Sequence, residues 1–277
     1  MKTKKRIFRS LLYLAVILVV FYSVGPIIWM FLSALRPRAE FFSMPPKILP
    51  DKWTLSNFKA LFLETEFISF FLNSIYISIG TIIMTNIIGI LAAYSLTRFK
   101  YPGRNFIVIF SLFAYMLPPV LLVIPLYLWV VKIGLANTLA SLVIAYVALT
   151  LPYSIWLLRA FFKSIPYELE EAAYIDGCNR LQTIFYVILP MAVPGIIATT
   201  VFSFTYVWNE FLFALIFITS NSKKTFPVGL DSFVTEHDIY WEYILTGSVI
   251  VAVPAVIVFL FTQKQLIQGW GAGGVKG

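Results

Sequence analysis

The sequence predicts an all-α polytopic membrane protein with six transmembrane helices and both termini in the cytoplasm. Three observations carry that prediction. Hydrophobic types make up 60% of the 277 residues and charged types only 12%, with a mean hydropathy of +0.87. Soluble domains are about 45–50% apolar and about 25% charged, so this chain has too little charge to cover a water-exposed surface. The apolar residues fall in long charge-free runs, and a helix needs about 20 such residues to cross a bilayer. The Lys and Arg residues lie between the runs: thirteen of the 21 fall on the side of the N-terminus and eight on the other, which sets both ends inside. The formal charge of +8 is therefore read as topology and not as a nucleic-acid surface, since no single basic face collects it. Disorder is excluded by the hydrophobicity. A disulfide scaffold is excluded because Cys178 is the only cysteine.

The elements follow from the runs. Residues 10–35 form the first span. The preceding MKTKKRIFRS mimics a secretory leader, but the run is too long for one and lacks an Ala-x-Ala site, so an uncleaved helix is expected. An outer loop of about 36–66 follows; Pro37, Pro45, Pro46 and Pro50 give it an extended path, and a short helix is expected near 55–63. Spans two to four are 67–97, 105–131 and 133–158. A run from 181 to 222 is interrupted only by Glu210. Because Pro190 and Pro194 remove donors and crowd the preceding turn, it is divided into a surface helix at 180–189 and a span at 191–219. The last span is 243–263. Helices and closed barrels alone satisfy every amide in lipid, and the runs show none of the ten-residue alternation of barrel strands. The whole of 1–277 reads as one transmembrane domain, with no repeat and no soluble domain.

Several chemistries are missing. No glycine is followed by lysine, so there is no phosphate-binding loop of the Gly-x-x-x-x-Gly-Lys type. His237, the single histidine, lies beside Glu236 and Asp238 in an outer loop, too few ligands for a metal. Cys178 has no base in view. Gly89 with Ala93, and Ser74 with Ser78, fit small-residue packing seams. Only Glu210 lies well inside an apolar run, where ion-coupled carriers usually keep several ionisable groups. No catalytic residue, metal site or cofactor site is expected in this chain.

The segment at about 163–190 is the most patterned. Ser164 and Pro166 suit a helix start, and Glu168, Glu170 and Glu171 would sit at the positive end of its dipole. Asp176-Gly177 is a stop signal. Ala172 and Ala173 leave a face that another protein can approach closely. The residues alone give a helix–turn–helix knob on the cytoplasmic side, or a plain loop joining two spans.

The residue order goes further. Glu171-Ala172-Ala173-x-x-Asp176-Gly177, followed by Phe185, Leu189, Pro190 and Pro194, resembles the EAA loop of ABC-importer permeases, with Cys178 in place of the usual alanine. Trp208-Asn209-Glu210-Phe211 is similar to a stretch of sugar permeases, and the region 46–57 resembles their first outer loop. The tail 263–277 resembles that of the second permease subunit of maltose-type importers, so the resemblance covers nearly the whole chain. It implies a permease for a di- or oligosaccharide, or a glycerol-phosphate-type solute, in a prokaryotic inner membrane. Its partners would be a second, different permease subunit, two ATP-binding subunits and an extracytoplasmic solute-binding protein, with no nucleic acid. ATP and magnesium would be bound by the ATPase subunits. Glu168, Glu171, Ala172, Ala173, Asp176 and Gly177 would couple to those subunits, and the tail would insert between them. Tyr206, Trp208, Asn209 and Glu210 are candidates to line the translocation path; Glu210 at the outer interface is the competing placement. An ion-coupled secondary transporter is the alternative function.

Overall fold

In lipid the apolar runs satisfy their own backbone groups by becoming helices. The computed structural model describes residues 2–43, 47 and 49–274. Its helices are α1 (Lys2–Ala34), α2 (Ser56–Glu64), α3 (Phe67–Arg98), α4 (Arg104–Met116), α5 (Pro119–Lys132), α6 (Leu139–Ser164), α7 (Glu168–Ile175), α8 (Arg180–Trp208), α9 (Leu212–Phe217), α10 (Phe226–Asp231) and α11 (Trp241–Gly274). Among the described residues five helices are long and apolar enough to span a membrane: α1 from Leu11, α3, α6, α8, and α11 to Lys264. The pair α4 and α5 makes a sixth span if it is counted as one.

Three expectations need correction. The single span at 105–131 is bent by 103° between α4 and α5. Pro118-Pro119 explains it: two successive donors are missing, and Leu117 is pushed to an extended conformation, φ −68° and ψ 130°. The fourth span begins at Leu139 and not at 133. Gly134 (φ 75°) and Asn137 (φ 56°) make a left-handed turn, and the Thr138 hydroxyl then caps the helix by accepting from Ser141 N at 3.2 Å. The surface helix at 180–189 and the span at 191–219 do not form as separate pieces. Helix α8 runs through both, with one wide π turn at Ile184–Ile188 in which Leu189 N–H donates to Ile184 O. That turn absorbs the missing donor of Pro190. Helix α8 stops at Trp208, and the last part of the run is the short α9.

The chain divides into two compact units. The first holds Met1–Ile68 with Gly229–Val253. The predicted helix at 55–63 appears as α2. Asn57 pins it by donating to the carbonyls of Ala34 (3.0 Å) and Arg36 (2.8 Å). Arg38 forms ion pairs with Asp238 and with Glu242 and lies over the Tyr240 ring. Lys47 donates to Asp51, whose hydrogen bond and charge raise the Lys47 ammonium above its usual range. Pro45 and Pro46 lie outside the described residues.

The second unit holds Ser69–Val228 with Pro254–Gly277. Its core has two clusters. One gathers Ile77, Leu142, Tyr146, Phe213 and Phe217; the other gathers Tyr94, Leu158, Phe162, Ile165, Ile184 and Ile188. Helices α6 and α8 cross closely, because a Cβ built on Gly195 would lie 2.6 Å from the Phe161 ring. Gly89 meets Leu158 in the same way at 3.2 Å. Small polar groups also join the helices: Thr85 to Thr150 at 2.9 Å, and Thr199 to Asn86 at 2.8 Å. Such bonds contribute roughly 0.6 kcal/mol each in membrane bundles. The side chains of 265–274 and the residues 275–277 lie outside the described residues, and with them most of the tail.

Candidate functional site

The knob is built from its ends inward. Ser164 does not cap α7; it closes α6 by donating to Phe161 O at 2.7 Å. Helix α7 starts after Tyr167 without a side-chain cap, and its first turn carries three carboxylates, Glu168, Glu170 and Glu171, at the positive end of its dipole. Its C-terminus is a Schellman turn: Cys178 N donates to Ala173 O at 2.9 Å and Gly177 N to Tyr174 O at 3.1 Å, with Gly177 at φ 87°. Asn179 and Gln182 then form a reciprocal capping box that starts α8.

The glutamates divide between two faces. Glu168 and Glu171 are exposed, as are Ala172, Asp176 and Gly177, while Ala173 is buried. Glu170 is fully buried and forms an ion pair with Arg98, the last residue of α3. Its second oxygen accepts from the Tyr94 hydroxyl at 3.0 Å. Arg98 also donates to Ile165 O at 3.0 Å and lies 5.8 Å over the Tyr167 ring. The knob is thus held to a spanning helix at three points. Its other side is apolar and unclothed: Ile175 is 86% exposed and Leu181 64%. Glu168, Glu170 and Glu171 all fall in the first turn of α7, and only the fold, by bringing Arg98 to it, singles out Glu170 as the inward one.

The four residues after α8's middle separate in space. Trp208 is 3% exposed and packs among Phe204, Phe226 and Phe71 at ring distances of 5.2, 4.8 and 6.0 Å. Asn209 is exposed and donates to Thr205 O at 2.8 Å. Glu210 is half-buried and caps α9: it accepts from Phe213 N at 2.9 Å, Ala214 N at 3.2 Å and the Tyr146 hydroxyl at 2.6 Å. Tyr206 lines a cavity of about 160 Å³ with Tyr115 and the elbow residues Leu117 and Pro119. His237 is exposed, Cys178 is a half-buried free thiol, and the described residues hold no group of three metal-ligating side chains.

This architecture is shared. A solved chain of a bacterial ABC transporter involved in the import of the acidic polysaccharide alginate superposes with a TM-score of 0.81 at 23% identity, covering 95% of this chain and 98% of that one. The fold is that of a membrane chain of an ABC transporter. Sequence narrows it: the chain belongs to the family described as binding-protein-dependent transport system inner membrane component, matched over residues 85–268. It is 35% identical to the inner membrane ABC transporter permease protein YcjP of Escherichia coli over the full length of both chains. It is 36% identical to the trehalose/maltose transport system permease protein MalG of Thermococcus litoralis, covering 97% of each. The chain is a multi-pass permease of the cell inner membrane.

Proposed function

We propose that this chain is one half of a heterodimeric pore through which a di- or oligosaccharide, delivered by an external solute-binding protein, enters the cell. The chain itself carries out no chemistry. Separate ATP-binding subunits, which hold ATP and magnesium, grip the knob, and both termini of this chain lie in the cytoplasm on the same side as the knob. The observation that carries the reading is the two-faced knob. Its inner face is fixed to α3 through Glu170 and Arg98, and its outer face leaves Ile175 and Leu181 open beside exposed Glu171 and Asp176. An apolar patch rimmed by charge marks a protein-docking site. A part so fixed can pass a push from a partner into a span, provided that both have two discrete arrangements. The sugar assignment is supported by the trehalose and maltose of the Thermococcus relative.

The test is co-expression with the candidate partner subunits and reconstitution into vesicles with a solute-binding protein loaded from a panel that includes trehalose and maltose. ATP-driven uptake of one sugar is expected. Ala172→Trp, on the exposed face, should leave insertion intact and abolish both ATPase association and uptake. Normal uptake with that variant, or accumulation by this chain alone, contradicts the reading.

A further inference from the structure

Five aromatic side chains from three helices form a continuous run in the second unit. On α6, Tyr153 and Trp156 are three residues apart, with ring centroids 6.0 Å apart. On α8, Phe202 and Tyr206 are four apart, at 6.3 Å. Tyr153 and Phe202 face each other at 4.1 Å, and Tyr115 of α4 stands against both, at 5.2 and 6.2 Å. Aromatic residues in a bundle core are usually covered on all sides. These are not: Tyr115 is 43% exposed, Trp156 is 41% exposed, and the other three are half-buried.

The hydroxyls add a second observation. Those of Tyr115, Tyr153 and Tyr206 form no hydrogen bond with any described residue. Tyr146, by contrast, is fully buried and spends its hydroxyl on Glu210. A phenol hydroxyl left unpaired against hydrocarbon costs about 1–3 kcal/mol, so three together favour a face that meets water or a polar solute. Two of the three, Tyr115 and Tyr206, line the cavity at the proline elbow.

We propose that Tyr206, Phe202, Tyr115, Tyr153 and Trp156 form a sugar-binding track on this subunit. The chemistry is that of a carbohydrate ring: its C–H faces lie on aromatic rings, and its hydroxyls pair with phenols at the edge. The elbow supplies the wall: Leu117, Pro119 and Leu122 line the cavity beside Tyr115. The proposal rests on the permease reading above and names the surface on which that solute is handled. The sequence indicated Tyr206 alone; Tyr115 and Tyr153 are 91 and 53 residues before it in the chain and join it only in the fold.

Two arms test it in the assembled complex. Cys178 is the only cysteine, so Cys178→Ser gives a background in which Tyr115→Cys and Trp156→Cys are probed with a charged, membrane-impermeant thiol reagent. Labelling of both is expected, and protection by the transported sugar sharpens the result. Absence of labelling means that the run faces lipid and overturns the proposal. In the second arm Tyr115→Phe with Tyr206→Phe keeps both rings and removes two hydroxyls. Sugar uptake per ATP hydrolysed should fall about tenfold, the equivalent of one good hydrogen bond, with ATPase association and assembly unchanged. Unchanged uptake per ATP overturns the sugar contact. Failure of the permease reading looks different: the unsubstituted chain would bind no ATPase subunit at all.

Discussion

Two carboxylates near the two ends of α8 are taken out of water in different ways. Glu170, in the knob before α8, is paired with a cation that belongs to another helix 72 residues earlier. Glu210, just after α8, is satisfied by neutral donors, two of them backbone N–H groups within four residues. The first interaction joins distant parts of the chain; the second shapes a local corner. A buried charge with a distant charged partner therefore reports mechanical connection, whereas a charge capped by its own neighbours reports backbone geometry. The intramembrane position that makes Glu210 conspicuous in the sequence has a structural explanation in its capping role, and the inconspicuous Glu170 holds the knob.

The comparison can be broken by substitution, starting with the largest effect. Glu170→Ala or Arg98→Ala strands a buried charge and should cost about 3–5 kcal/mol, seen as a lower melting temperature of the purified protein. Replacing both, as Glu170→Leu with Arg98→Met, should recover most of that loss. If the single changes cost no more than changes at Glu210, the distinction collapses. Gly195→Ala probes the α6–α8 crossing between the two sites. With Phe161 2.6 Å from the new Cβ it should cost about 1–3 kcal/mol, and Phe161→Leu in the same chain should relieve part of it. Glu210→Ala should cost about 1–2 kcal/mol by uncapping α9. Glu210→Gln, whose amide oxygen still accepts, should lose less than half as much and keep sugar uptake. A selective change in sugar preference with Glu210→Gln would instead support its place on the translocation path. A comparably small effect is expected at Gly177→Ala, about 1 kcal/mol from forcing a side chain into φ 87°, read by thermal unfolding.

Much of this was legible beforehand. The spans could be read because a charge-free run of sufficient length has one stable form in lipid, and α2 appeared within a residue of its expected bounds. The prolines were harder. Pro118-Pro119 lies inside a run whose length alone fits one span, although two adjacent missing donors must bend a helix. Pro190 does not end its helix, because a π turn lets α8 continue through it. The knob's stop at Asp176-Gly177 could be read, since a left-handed glycine ends a helix whatever surrounds it. Which of three adjacent glutamates turned inward could not, because Arg98 meets Glu170 only through tertiary packing. The aromatic run was hidden for the same reason: 48 of 277 residues are Phe, Tyr or Trp, and periodicity alone does not separate the few that meet across helices.

The turn at Tyr174–Cys178 has a consequence for how such chains diversify. Its shape is closed by main-chain bonds and one achiral residue, so no neighbouring side chain is needed to hold it. The outward positions beside it are then free to drift in charge and size without deforming the scaffold. Under the docking proposed above, compatibility with a different ATPase changes one exchange at a time, while the turn keeps the same backbone gauge.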